Sequence, residues 1–312
     1  MKVALIDDFH PKIIKTLTDW KWNILQAQSW SAQDFMNSAN DIDGIFIRSR
    51  FPLDIQMLEH FKNLKFIARP GSGLENIDLE YCKKNNINVF RSPEGNRDAV
   101  AEHTIGMLLM LLNNLKKADN EVRNGIWKRS ENRGYELMGK TFAIIGYGFM
   151  GEAISKKLSG FGMNVIAYDK YLSNYENSFA KEVQLNEIFL NADFVSLHTP
   201  LTAETKGMIN SSFIDNFNKP FYFLNTARGN ALVLKDLIKA IKTRQILGAC
   251  LDVLDLESSS FENVNFSNNA SFSELSRMQN VVLSPHIAGW THESKEKMAS
   301  VILEKIKKEY FN

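Results

Sequence analysis

The chain has 312 residues, 44% hydrophobic and 23% charged, the proportions of ordinary globular domains, and its length predicts two of them. Its 37 Lys and Arg against 36 Asp and Glu leave a formal charge of +1, which excludes the basic excess of a protein that coats a phosphate backbone, so no nucleic-acid partner is expected. The longest apolar run, Met107–Leu112, is far short of the ~20 residues of a membrane span. The N-terminus MKVALIDDFH meets two aspartates after four apolar residues and does not read as a signal peptide, and the two cysteines, Cys82 and Cys250, form no C-x-x-C pair. A cytoplasmic protein with no membrane partner is expected.

In chain order, short β-prone runs at Val3–Ile6, Gly44–Ile47, Phe66–Ala68 and Val89–Phe90 alternate with stretches such as Asp54–Phe61, whose apolar residues recur at helical intervals. An unusually apolar helical stretch follows at Val100–Leu115, readable as a domain or subunit boundary or as a buried core helix. Six further runs, Phe142–Ile145, Val165–Tyr168, Val195–Leu197, Phe221–Leu224, Ala249–Leu251 and Val281–Leu283, predict one sheet. His292–Tyr310, with Met298, Ile302 and Ile306 spaced by four along one face, predicts a closing helix. The alternation gives an α/β class with parallel sheets covered by helices. Ser258–Leu275, with six serines and four asparagines, breaks the pattern and reads as an irregular excursion pinned to the surface by Phe261, Phe266 and Phe272.

The segment KTFAIIGYGFMGEAISKKL is a strand, a turn on Gly146, Gly148 and Gly151, and a helix. That context is what dinucleotide binding demands: the first glycine for the tight turn, the second for approach of a pyrophosphate, the third for helix packing, with the helix N-terminus toward the phosphates. Asp169 closes the next strand 18 residues after Gly151. A carboxylate there accepts from ribose hydroxyls and repels a 2′-phosphate, so NAD is favoured over NADP, a preference that the adjacent Lys170 tempers.

Ligands of open α/β sheets bind beyond the carboxyl ends of the strands. Arg228 in NTARG, Glu257 in LDVLDLE and His286 in SPHIAGW follow the last three predicted strands. Hydride transfer at a carbon bearing oxygen needs a proton acceptor at that oxygen and a cation for a neighbouring carboxylate. His286 can exchange the proton, Glu257 on its other nitrogen would fix the tautomer, and Arg228 can hold a carboxylate in a two-pronged contact. His198, in LHTP at a strand end, is a cofactor-side or a structural residue, while His10, His60, His103 and His292 lack comparable partners. No His, Cys or carboxylate set has metal-ligand spacing, and no metal is expected.

Together with RPGSGLENID at Arg69–Asp78, PEGNRDAVAEHT at Pro93–Thr104, LHTPLTAET at Leu197–Thr205 and GACLDV at Gly248–Val253, these motifs resemble the D-2-hydroxyacid dehydrogenase family, which includes phosphoglycerate dehydrogenase. The resemblance implies a flavodoxin-like substrate domain, residues 1–98 completed by 287–312, with a Rossmann NAD domain, residues 99–286, inserted in it. It implies a homodimer formed through the cofactor domain. It implies Arg228, Glu257 and His286 as the catalytic set and backbone N–H groups at Ser72 and Gly73 for the substrate carboxylate. Cofactor contacts fall at Gly146, Tyr147, Gly148, Phe149, Met150, Gly151, Asp169, His198, Thr199, Pro200, Thr226, Ala227 and Gly289, with Asp252 beside the nicotinamide amide.

Three positions depart from the family pattern: Glu75 where Asp is usual, Ser258 where Pro is usual, and the Ser/Asn-rich excursion, which leaves Asp255 as an alternative to Glu257. IRSR at Ile47–Arg50 resembles the segment that brings cations to a substrate phosphate, so Arg48 and Arg50 are either phosphate ligands or solvated arginines at a strand end. The expected reaction is NAD-dependent interconversion of a D-2-hydroxy acid and its 2-keto acid, with 3-phosphoglycerate, and hence serine biosynthesis, as the first substrate reading. Glyoxylate, hydroxypyruvate or lactate is the second. The chain stops at Asn312, so serine feedback through a further C-terminal domain is not expected. A non-enzymatic NAD-sensing scaffold is the alternative of another class, which retention of all three candidate catalytic residues disfavours.

Overall fold

Apolar runs flanked by helical segments bury both faces of a parallel strand, and the strands of this chain do so. A computed structural model describes residues 1–257, 266 and 269–311. The chain divides into two units, one holding residues 1–97 and 290–311 and the other 98–257 with the described residues from 266 to 289. The division falls inside the helix Pro93–Leu112.

The first unit has a five-stranded parallel sheet of β1 (Lys2–Leu5), β2 (Asn23–Gln26), β3 (Gly44–Phe46), β4 (Phe66–Arg69) and β5 (Asn88–Arg91), in the order β2-β1-β3-β4-β5. This is the flavodoxin-like order. Strand alternation sends Val3 and Leu5 to one face, where Ile302, Leu303 and Ile306 of the helix His292–Tyr310 cover them, and Ala4 and Ile6 to the other, against Phe35 and Ile67. The C-terminal helix thereby completes the first sheet.

The second unit has seven parallel strands: β6 (Thr141–Ile145), β7 (Asn164–Tyr168), β8 (Lys181–Glu182), β9 (Phe194–Leu197), β10 (Phe221–Asn225), β11 (Ile246–Leu251) and β12 (Val281–Leu283). Their order, β12-β11-β10-β9-β6-β7-β8, reverses between β6 and β9, the dinucleotide-binding topology with its switch point at the glycine turn. Phe142 and Ile144 face one core cluster while Ala143 and Ile145 face the other.

Several elements differ from expectation. β2 and β8 are edge strands with half-exposed or polar residues, so neither carries an apolar run. The helix expected over Asp54–Phe61 is the single turn Ile55–Leu58, capped by the Asp54 side chain on the Met57 N–H at 2.9 Å. The apolar helix begins at Pro93, earlier than expected, and stops at Leu112, where Asn114 adopts φ 52° and a second helix starts at Leu115. Ala101, Leu108 and Leu112 lie in a core cluster of the second unit, the buried-helix reading. The excursion ends in a helix, Ala270–Leu275, capped by Asn269, and Phe266 stacks on Phe272 at 4.2 Å. Phe261 and most of the excursion lie outside the described residues. Among the described residues no helix is long and apolar enough to cross a membrane.

Candidate active site

The glycine turn follows β6, and each glycine there has its own physical reason. Gly146 has φ 95°, and a Cβ on it would stand 2.8 Å from the carbonyl of His198. A Cβ on Gly151 would stand 2.5 Å from the Gly146 oxygen, so the helix Phe149–Leu158 packs on the turn only without a side chain. Gly148, by contrast, has open space where its Cβ would be, and as N-cap it offers no side chain to the first helical N–H groups. Those donors are left for an anion. At the end of neighbouring β9, the buried His198 Nδ1 and Thr199 Oγ1 have no hydrogen-bond partner among the described residues. A cradle with an open glycine, uncapped N–H groups and two orphaned polar atoms fits a dinucleotide.

Asp169 ends the turn's second side. Its Oδ2 accepts from the Tyr147 N–H at 2.8 Å, and its Oδ1 from the N–H groups of Tyr171 and Leu172 at 2.9 and 3.0 Å. The Tyr147 side chain points into the core instead, stacked on Tyr175 at 4.7 Å with its hydroxyl bonded to Ser155 and Asn177. With its N–H on Asp169 as well, Tyr147 is tied into the turn through both backbone and side chain. Phe149 is 38% exposed, and Met150 is half-buried. His198 is bonded through Nε2 to Ser196 Oγ at 2.8 Å, and burial pushes its pKa down to about 4. Thr226 is buried against Thr104, Oγ1 to Oγ1 3.1 Å, and the Ala227 N–H donates to Asn225. Pro200 closes a turn by accepting from Thr205 Oγ1 at 2.7 Å, and Gly289 ends the second unit.

The last three strands end in register, Asn225 beside Leu251 beside Leu283, so the loops that follow them leave one crest of the sheet. The loop after β10 lies against the loop after β11 so closely that a Cβ on Gly229 would fall 2.0 Å from the Leu254 carbonyl carbon. Arg228, one residue before, donates through Nη1 to the Ala227 carbonyl at 2.7 Å. Glu257 and His286 meet: Oε2 is 2.6 Å from Nδ1, and the other carboxyl oxygen accepts the Leu254 N–H at 2.6 Å. Asp255, the alternative carboxylate, has its pKa raised by burial.

His286 adopts φ 55°, a conformation non-glycine residues seldom take. The residue that holds it is Asp252, 1% exposed, whose backbone carbonyl accepts the His286 N–H at 2.7 Å. Its carboxyl accepts from Ser284 Oγ at 2.6 Å and from the Ile287 and Ala288 N–H groups at 2.9 and 2.8 Å. His103, read from sequence as lacking partners, bonds Ser284 through Nε2 at 2.9 Å. Its only sequence signal was its place in the AEHT motif.

In the first unit, Arg50 is committed to structure. Its Nη1 donates to the carbonyls of Ile6, Ala27 and Gln28 and its Nη2 to that of Trp30 at 2.8 Å, stapling the loop after β1 to the loop after β2. These contacts engage both terminal nitrogens of Arg50. Arg48 stacks over the Trp290 ring at 4.4 Å, and the Ser72 and Gly73 N–H groups after β4 donate to no group among the described residues.

The sequence profile of the D-isomer specific 2-hydroxyacid dehydrogenase NAD binding domain matches residues 105–288, more than half of the chain. The chain belongs to that family. The glycine-turn unit of this dehydrogenase-family chain is accordingly an NAD-binding domain, and NAD is its cofactor. The family chain is 32% identical over 311 residues to D-3-phosphoglycerate dehydrogenase of Methanocaldococcus jannaschii, an alignment over 99% of this chain and 57% of that one. It therefore spans little more than half the length of that relative. It is 35% identical over 280 residues to glyoxylate reductase of Thermococcus litoralis, covering 87% of this chain and 81% of that one. The structure of D-lactate dehydrogenase from Aquifex aeolicus complexed with NAD and lactic acid superposes with a TM-score of 0.83 at 28% identity, covering 98% and 94% of the two chains.

Proposed function

We propose that this chain catalyses the reversible NAD-dependent conversion of a D-2-hydroxy acid to its 2-keto acid. The observation that carries the reading is the 2.6 Å contact of Glu257 with His286 Nδ1 on the crest that also holds Arg228 and the glycine turn. An ionised carboxylate can only accept, so the proton of that contact belongs to Nδ1 and proton exchange with the substrate oxygen is assigned to Nε2. When bound at the glycine turn, NAD would supply the hydride-transfer chemistry. Arg228, with its planar fork of donors, holds the substrate carboxylate and polarises the adjacent carbonyl. In the first unit, the unengaged N–H groups of Ser72 and Gly73 can donate to an anion.

Two substrate readings remain, each with an observation behind it. The Arg48 guanidinium favours 3-phosphoglycerate, and with it serine biosynthesis. The commitment of Arg50 to four carbonyls favours an unphosphorylated acid such as glyoxylate, hydroxypyruvate or lactate. A homodimer is supported by the exposed apolar side chains of the second unit between residues 110 and 138, among them Trp127 at 77%, Met138 at 75% and Tyr135 at 64%. The two buried free thiols, Cys82 and Cys250, suit a cytoplasmic setting.

The test is NADH oxidation with a panel of phosphohydroxypyruvate, hydroxypyruvate, glyoxylate and pyruvate. His286→Ala is expected to lower kcat by ~10²- to 10⁴-fold while NADH binding, followed by its fluorescence, persists. Unchanged turnover in that variant, or no turnover of any acid by the wild type, refutes the reading.

A further inference from the structure

We infer that Glu204 is a cofactor-specificity residue: by gripping Lys170 it withholds the cation that follows Asp169 from a nucleotide 2′-phosphate. The inference rests on the family's NAD-binding domain and on no choice of substrate.

Asp169 stands where a dinucleotide fold places the acid that meets the adenosine ribose, and a cation in this region is what admits a 2′-phosphate. Lys170 follows it directly, and sequence alone offers it as such a cation. The structure shows it engaged elsewhere. Its Nζ is 2.7 Å from Glu204 Oε1, while Glu204 Oε2 accepts the Tyr171 hydroxyl at 2.6 Å, so one carboxylate clamps two consecutive side chains of the loop after β7. The ammonium also lies 5.6 Å from the Tyr171 ring centroid. Glu204 raises the Lys170 pKa through their hydrogen bond, and the Lys170 and Tyr171 hydrogen bonds lower that of Glu204, so each partner favours the charged form of the other.

The clamp is seated on a fixed turn. The Thr202 N–H donates to Thr205 Oγ1 at 2.8 Å, Lys206 N–H to the Thr202 carbonyl at 3.0 Å, and Thr205 Oγ1 to the Pro200 carbonyl at 2.7 Å. Asp169, for its part, is anchored by three backbone N–H groups and cannot swing away. A 2′-phosphate would therefore meet two carboxylates and a cation already neutralised by one of them. A 2′-hydroxyl carries no charge and meets no such penalty.

The test is titration of the full chain with NADH and with NADPH, followed by nucleotide fluorescence, for wild type, Glu204→Ala, Lys170→Ala and the double variant. In Glu204→Ala the Kd for NADPH is expected to fall about fivefold, the worth of one exposed charged contact, with the Kd for NADH almost unmoved. In the double variant the gain is expected to vanish. An unchanged NADPH to NADH ratio in Glu204→Ala overturns the inference, as does a gain that survives Lys170→Ala, since bare charge removal would then explain it. Wild-type chain that binds neither nucleotide would overturn the NAD assignment as well, and is told apart from the first two results by its NADH titration.

Discussion

Asp252→Asn tests whether the His286 backbone is held in place by a buried carboxyl. Oδ1 accepts from Ser284 Oγ and the Ile287 N–H, and Oδ2 from the Ala288 N–H. An amide has one acceptor oxygen, so whichever way it turns, one of the two N–H groups faces another donor. Losing a hydrogen bond to a charged group and stranding a buried donor costs about 3 kcal/mol. The left-handed conformation of His286 adds about 1 kcal/mol of pull toward the ordinary helical region once the peg loosens. A shift of an ångström in a reacting group can cost ~10²-fold in rate, and kcat is expected to fall by that order. Steady-state assays and thermal melting are run on Asp252→Asn, His286→Ala and the double variant. If the effect passes through His286, adding Asp252→Asn to His286→Ala costs stability but no further rate. A full ~10²-fold loss in that background, or wild-type kcat in the single variant, would refute the reasoning.

Arg50→Ala removes a donor from four carbonyls, of which Ala27 keeps the Trp30 N–H, and is expected to destabilise by about 2 to 3 kcal/mol in urea melts, whereas Arg48→Ala changes KM for a phosphorylated acid with little loss of stability; the reverse pattern would make Arg50 the phosphate ligand. Gly229→Ala forces a methyl group to within 2.0 Å of backbone at Leu254, and is expected either to prevent folding or to move the loop that carries Arg228, read as lost soluble yield or a raised KM. His198, neutral in the fold with a pKa of about 4 against an ordinary 6.5, is protonated in the unfolded chain first, so its contribution is whole above 6.5 and is lost as pH falls toward 4. Up to about 3 kcal/mol is at stake, and His198→Gln should flatten the stability profile across that window relative to wild type; parallel profiles would show that the ring is not the titrating group.

Most strands that the sequence announces are buried, and a run such as Phe142–Ile145, apolar throughout, has nothing polar to mislead. β2 and β8 were silent because they are edge strands with polar ends or only two residues, whereas the edge strands β5 and β12 keep an apolar run. The glycine spacing was legible because Gly146 and Gly151 answer local steric demands and Gly148 leaves the helix N-terminus uncapped, all within six residues of chain. Arg50 was not, since its acceptors come from loops 20 to 44 residues away and no local pattern marks them. The Asp252 peg escaped for the same reason: the sequence shows an acid after β11, but only the fold brings Ser284, Ile287 and Ala288 around it.

The strand that delivers the histidine, β12, is three residues long and stands at the rim of its sheet, paired among the described residues with β11 alone. Rim strands open more readily than interior ones. Mild denaturant or heat should therefore silence turnover while bulk circular dichroism still reports a folded protein, and amide exchange at Val281–Leu283 should quicken in step with that early loss. The working lifetime of the proposed activity would then be governed by the fraying of one short edge and only secondarily by the melting of either core.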